Sequence, residues 1–167
     1  MSTRIPSIDQ KSAELELLTG ARTIAVFVLF TFVFHFAWEI LQVPLFMKMQ
    51  AASHWQGTLI CLKATFGDVG IALASFAVAA LWQRDSRWFL SPTNGALAGY
   101  LATGVLITIA FEWHAVYWAG RWSYSALMPI VPVLRVGAAP VLQWIVIPLV
   151  VLFFLQRHDS RTPKRHE

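Results

Sequence analysis

Four long apolar runs, near residues 23–46, 58–82, 95–118 and 136–156, are separated by short polar or proline-rich connections. Each run is long enough for a membrane-crossing helix, which takes roughly 20 residues. The pattern predicts an all-α polytopic membrane protein, a four-transmembrane-helix bundle forming one domain over residues 1–167 with short tails at 1–22 and 157–167. The connections leave no room for a soluble domain. Ahead of the first run, "SAELELLTG" is either a short interfacial helix, with Leu15 and Leu18 on one side and Glu14 and Glu16 toward water, or a frayed tail. The first run is too long, and too interrupted by His35 and Glu39, to be a cleavable signal.

The exceptions to the apolar pattern are themselves ordered. In "FVFHFAWEILQVPLF", His35, Glu39 and Gln42 are spaced four and then three residues apart, which puts all three on one side of a helix. An ionisable group in a hydrophobic span is expensive and usually has a partner or a task. At the rise of an α-helix, Glu39 lies roughly 10 Å from the end of its run, Glu112 roughly 10 Å from the end of its own, and Gln143 about as far past the start of the last run. Asp68 is deeper, at roughly 15 Å. The runs alternate in direction, so equal depth is not a consequence of chain order. The opposite halves, "IALASFAVAAL", "GALAGYLATGVLI" and "PLVVLFFL", are almost free of polar groups. A shared polar pocket in one half of the bundle is expected, with Glu39, Gln42, Asp68, Glu112 and Gln143 around it.

Composition agrees with a membrane protein: 57% of residues are hydrophobic and 13% charged, with a mean hydropathy of +0.57, whereas soluble domains carry about 25% charged residues. The basic residues give an orientation. Arg4, Lys11, Arg22, Arg84, Arg87, Arg157, Arg161, Lys164 and Arg165 fall on one side, against Lys48, Lys63, Arg121 and Arg135 on the other, nine to four. By the positive-inside rule both termini and the middle loop are cytoplasmic, in the inner (plasma) membrane, and the pocket opens toward the periplasm. This bias and the tail "RHDSRTPKRHE" account for the pI of about 9.6. No basic stretch interleaved with aromatics points to nucleic acid.

Trp55, Trp118 and Trp122 are expected at the outer boundary and Trp82 and Trp88 at the inner one, as interfacial anchors. Trp38 and Trp113 are different, each adjoining a buried glutamate. Cys61 is alone and reads as a packing residue. Asp68 sits in "TFGDVG", where Gly67 and Gly70 would allow close helix approach. Tyr100, Gly104, Thr108 and Glu112 form a four-residue ladder, so Glu112 faces a small, polar stripe; His114, about 200° away, belongs to another surface. The structural alternative for Glu39 and Glu112 is an ion pair with Lys63 or Arg135.

After the third run, "AGRWSYSALMP" and "IVPVLRVGAAPVLQW" bring Arg121, Trp122, Tyr124 and Arg135 to the side where the pocket opens. Pro129, Pro132 and Pro140 argue against a regular helix here, so the segment before the last helix is expected to re-enter the membrane, to lid the pocket, or to be an ordinary loop. The candidate catalytic residues are Glu39, Glu112, His35 and Asp68. Gln42, Lys63, Trp38, Trp113, Arg121, Trp122, Tyr124, Arg135 and Gln143 are candidates for substrate binding. Only one His-Glu pair shares a helix face, so no metal site is assigned, and His35 with His114 makes a thin case for haem. No phosphate loop, nucleophile elbow or dinucleotide fingerprint is present, and no cofactor is expected.

The stretch from Asp85 to Leu152 resembles the lycopene cyclase domain of bacterial and archaeal carotenoid enzymes. The similarity rests on "DSRWFL" after a helix, on "FEWHAVYWAGRWSY" with its acidic residue near a helix end, and on the proline-rich return "APVLQWIVIPL". The resemblance implies proton-driven cyclisation or isomerisation of an isoprenoid. That family's carboxylate pair after the proline is replaced here by Leu142 and Gln143, so Glu39 with Glu112 would supply the acid.

Three functions fit the pattern. The first is a membrane enzyme in which Glu39 or Glu112 moves a proton on a lipid or isoprenoid, Arg121, Arg135 and Lys63 hold an anionic head group, and aromatics cushion a cationic intermediate. The second is an accessory subunit of a larger membrane complex that binds a quinone, pigment or partner helix. The third is a transporter or ion path, which at this length requires a homo-oligomer; no internal repeat of the transporter kind is visible.

Overall fold

The computed structural model describes residues 8–160, so Arg4, Arg161, Lys164 and Arg165 of the charge bias lie outside the described residues. In chain order the helices are α1 (Ile8–Gln42), α2 (Met47–Gln50), α3 (His54–Gln83), α4 (Asn94–Trp113) and α5 (Ala138–Ser160). Short strands β1 (Ile130–Val131) and β2 (Val136–Gly137) form an antiparallel hairpin between α4 and α5. Four segments are long and apolar enough to cross a membrane: Leu17–Leu45, His54–Gln83, Asn94–Trp118 and Ala138–Asp159. They close into a ring in which α1 and α4 each pack against both α3 and α5. Large apolar side chains also cover the outside, among them Leu29, Leu41, Leu81, Leu106 and Phe111, each more than half exposed. An apolar exterior of this extent suits lipid rather than water.

Local chemistry explains where the helices differ from expectation. The "SAELELLTG" segment is neither a separate interfacial helix nor a frayed tail; it is continuous with α1, and nothing in it stops a helix. α3 starts four residues earlier than its apolar run, because Ser53 and Gln56 form a reciprocal capping box. It ends at Arg84, which takes the left-handed conformation with φ 56°. α4 runs past Trp113 as a π-helical turn, His114–Trp118, closed by Ala119 N–H donating to His114 O at 2.8 Å. Pro140 does not break α5. It sits in the first turn, where a backbone N–H has no helical partner to lose.

One end of the bundle, the base, is sealed. Trp88 and Phe89, in the turn between α3 and α4, are 0% exposed and plug a core of Phe27, Phe76, Tyr100, Ile147, Val151 and Leu155. The expected boundary role for Trp88 is therefore wrong: its ring stacks at tilted angles on Phe76 (5.3 Å) and Tyr100 (5.2 Å). The turn is fastened to α5 by Arg87 Nη2 to Asp159 Oδ2 at 2.8 Å and by Gln156 Nε2 donating to Phe89 O at 2.6 Å. Trp82, Trp55 and Trp118 are exposed.

The close-packing glycine is also not where "TFGDVG" suggested. A methyl group added to Gly67 or Gly70 would meet nothing within 4 Å. At Gly104 it would collide with the Trp144 ring. Gly104→Val should therefore lower the melting temperature in detergent, with a loss of about 1–3 kcal/mol from overpacking. Gly67→Ala should be neutral or stabilising by up to about 1 kcal/mol. Equal effects at the two sites would contradict this packing.

Candidate functional site

Above the sealed core, the polar side chains predicted from spacing meet between the helices. Gln143 on α5 is the centre. Its Nε2 donates to His35 Nδ1 at 2.8 Å, to Asp68 Oδ2 at 3.2 Å and to Glu39 Oε1 at 3.4 Å. Gln42 Nε2 donates to Glu39 Oε1 at 2.7 Å and reaches Gln143 Oε1 at 3.5 Å. His35 Nδ1 also lies 3.4 Å from Asp68 Oδ2. Reversing the Gln143 amide would set its oxygen against two carboxyl groups, so the amine faces them, His35 Nδ1 accepts, and the His35 proton resides on Nε2. His35 is 1% exposed and its ring packs on Trp144 at 4.9 Å between centroids.

Glu112 is held from the loop. Tyr124 OH donates to Glu112 Oε2 at 2.5 Å. The loop is zipped onto the end of α1: Met47 N–H donates to Ser123 O at 3.0 Å, Ser125 N–H to Leu45 O at 2.9 Å, and Ser125 Oγ to Pro44 O at 3.0 Å. Lys48 Nζ clamps the same loop through Gly120 O and Arg121 O, both at 2.8 Å. Phe46 packs against Trp122 and Tyr124. Burial first, and then the bond to Glu112, push the Tyr124 phenol above its ordinary value.

These groups border one cavity of about 760 Å³, within the roughly 300–1,000 Å³ usual for small-molecule sites. Glu39, Gln42, Asp68, Glu112 and Gln143 all line it, as do Lys63, Arg121 and Trp122. His35 stands behind Gln143 and Tyr124 behind Glu112. On α3 the wall is Ala64, Gly67, Asp68, Gly70, Ile71 and Ala74 and on α4 it is Ile107, Thr108, Phe111 and Glu112. Because Ala64, Gly67, Gly70 and Ala74 are exposed, the cavity meets the apolar exterior between α3 and α4.

Three expected members lie elsewhere. Trp38 immediately precedes Glu39, so it is turned about 100° from it on the helix, and it packs against the core. Trp113 donates from Nε1 to Leu134 O at 2.6 Å, and Arg135 accepts from Tyr117 OH through its carbonyl at 2.6 Å. Both belong to a separate groove of about 430 Å³ that also includes His114 and Trp118. The ion-pair alternative fails as well: among the described residues neither Glu39 nor Glu112 has a cation within 4 Å. Cys61 is buried, with Sγ 3.6 Å from Glu39 O.

Sequence reasoning missed Lys48, Thr108 as a cavity residue, and Trp144, which lines the cavity beside Gln143. The ladder Tyr100, Gly104, Thr108 and Glu112, buried throughout, held the signal for Thr108 and, through Gly104, for a large ring packed over it. Lys48 left none, since its partners are backbone carbonyls far along the chain. Among the described residues no three His, Cys, Asp or Glu side chains gather as a metal site. Comparison with protein-family models, with curated proteins and with solved structures finds no match.

Tyr124→Phe should strip Glu112 of its donor and cost about 1–3 kcal/mol in reversible unfolding. The raised phenol pKa means that this stability is present below the ordinary phenol value and is lost as pH rises through the higher folded-state value. The difference between wild type and variant should therefore shrink in strong alkali as the phenol ionises. A difference that stays constant there would contradict the assignment.

Proposed function

We propose that this chain is an integral membrane enzyme that uses Glu39 and Glu112 for acid–base chemistry, of the isomerisation or cyclisation type, on a lipid or isoprenoid substrate. The carrying observation is the state of the two carboxyl groups. Both line one cavity, neither is in an ion pair among the described residues, and each is fixed by neutral donors through one oxygen. Gln42 and Gln143 hold Oε1 of Glu39, and Tyr124 holds Oε2 of Glu112. A carboxyl oriented in this way can give a proton to a double bond, and its partner across the cavity can take one from a neighbouring carbon. Those two transfers make an isomerisation; a ring closure between them makes a cyclisation.

His35 and Asp68 support the chemistry rather than perform it. Both bond to Gln143 and so set the position of Glu39. The fixed loop with Trp122 and Tyr124 acts as a lid, and the hairpin behind it is read as re-entrant. The likeness of residues 85–152 to lycopene cyclase domains supports an isoprenoid, with the acid supplied from α1 and α4. The basic residues Arg84, Arg87 and Arg157 at the base support an inner-membrane setting with both termini cytoplasmic. A second reading, a subunit of a larger membrane complex, is favoured by the separate aromatic groove around His114, Tyr117 and Arg135, which a partner helix or pigment could fill.

Glu39→Gln and Glu112→Gln keep the shape of the side chains. Both variants are expected to melt within about 1 kcal/mol of wild type, since no buried cation is left unpaired, yet to lose activity by at least about a hundredfold. The measurement is detergent-solubilised stability beside a cellular assay of the lipid or pigment that accumulates on deletion. Strong destabilisation with activity retained per folded molecule would favour a structural role.

A further inference from the structure

Two cations line the cavity without a carboxylate of their own. Lys63 on α3 and Arg121 in the lid loop both border it, and both are exposed. Among the described residues neither has a carboxylate oxygen within 4 Å. Lys63 is the less expected of the two. It lies eight residues beyond the exposed Trp55, roughly 12 Å further along a membrane-spanning helix. Its neighbours on the helix surface, Ile60 and Phe66, are exposed apolar side chains. A cation at such a position is costly and marks a partner or a pathway.

The two belong to the same end of the cavity, away from the sealed base. Arg121 O accepts from Lys48 Nζ at 2.8 Å, which joins the lid loop to α2. From α2, Met49 reaches α3, where a methyl group added to Gly57 would lie 3.9 Å from Met49 Cε. Met49, Ile60 and Lys63 carry the cavity wall on from that contact. The charge of Lys48 adds to the same field, although two of its hydrogens are engaged by Gly120 O and Arg121 O. α3 then runs toward the base, and Asp68 follows Lys63 by five residues, roughly 7.5 Å further in. Below Lys63 the wall is made of Ala64, Gly67, Gly70 and Ala74, opposite Ile107 and Phe111. Cations at one end and a smooth apolar channel beyond them are the complement of an anionic amphiphile. Two fixed cations match the roughly two negative charges of a phosphate monoester better than the single charge of a carboxylate.

We infer that the substrate is a lipid with a phosphate-type head group, which Lys63 and Arg121 hold at the loop-covered end, while its hydrocarbon runs along α3 toward the base. The inference rests on the lipid-enzyme proposal and narrows its substrate class. Arg135, also expected from the sequence to hold a head group, has no part in it, because it lines the separate groove.

The test is equilibrium binding of radiolabelled geranylgeranyl phosphate and geranylgeraniol to the full chain in phosphatidylcholine nanodiscs, corrected for uptake by empty discs. The phosphate should bind at least about tenfold more tightly than the alcohol. Lys63→Gln and Arg121→Gln should each weaken phosphate binding by about fivefold and leave the alcohol unchanged. Both side chains are exposed, so neither change disturbs the packing. Arg135→Gln removes a charge of the same sign outside the cavity and should leave both constants as they are. Equal or tighter binding of the alcohol would overturn the inference. So would a loss in Arg135→Gln as large as that in Lys63→Gln, which would mean unspecific attraction to a basic surface. Displacement of the label by inorganic phosphate as effectively as by unlabelled geranylgeranyl phosphate would assign the cations to a free anion and overturn the lipid head group. Binding is read without turnover, so failure here and failure of the Glu39→Gln activity test are separate outcomes.

Discussion

The amide of Gln143 is the contact on which the rest of this bundle depends. From α5 it reaches His35 and Glu39 on α1 and Asp68 on α3, at 2.8, 3.4 and 3.2 Å. Two amine hydrogens shared by three acceptors inside an apolar bundle leave little freedom. If the amide leaves, His35 and Asp68 lose their donor at once, at about 1–3 kcal/mol each, and Glu39 is left to Gln42 alone. Helix packing in lipid lacks a hydrophobic drive, so an interhelical hydrogen bond of this kind sets register as well as energy. The register it sets places both glutamates on one cavity.

The two ends of the bundle divide the work. At the base, Trp88 and Phe89 fill the space between helices and the Arg87–Asp159 pair ties the turn to α5. At the other end the helices are held apart by polar groups and closed over by a loop stitched to the end of α1. A tight base permits a hollow top. The same arrangement leaves the cavity that Glu39 and Glu112 line open to the apolar exterior between α3 and α4.

Much of this was legible in the chain. The four helices followed from run length, and the shared depth of Glu39, Glu112 and Gln143, with Asp68 somewhat deeper, followed from the rise per residue, because helix geometry is local and nearly invariant. What misled was adjacency. Trp38 and Trp113 touch the glutamates in sequence but lie about a quarter turn away in space. Gly67 and Gly70 looked like packing residues, yet nothing lies within 4 Å of where their side chains would be, whereas Gly104 is covered by the Trp144 ring. The loop was the least legible element: Tyr124 and Lys48 act through partners 12 and 72 residues distant, and no periodicity encodes such a contact. Arg135 was assigned to the cavity rim from its place after a proline-rich stretch, and the β1–β2 hairpin carries it to the neighbouring groove.

The most direct test is a double-mutant cycle between Gln143→Leu and Asp68→Ala, measured by reversible unfolding in bicelles. If the amide joins α5 to α3 as described, the two losses are non-additive, with a coupling of about 1–3 kcal/mol. Additivity to within about 0.5 kcal/mol would mean that the two side chains do not meet, and the cavity built around them would not stand.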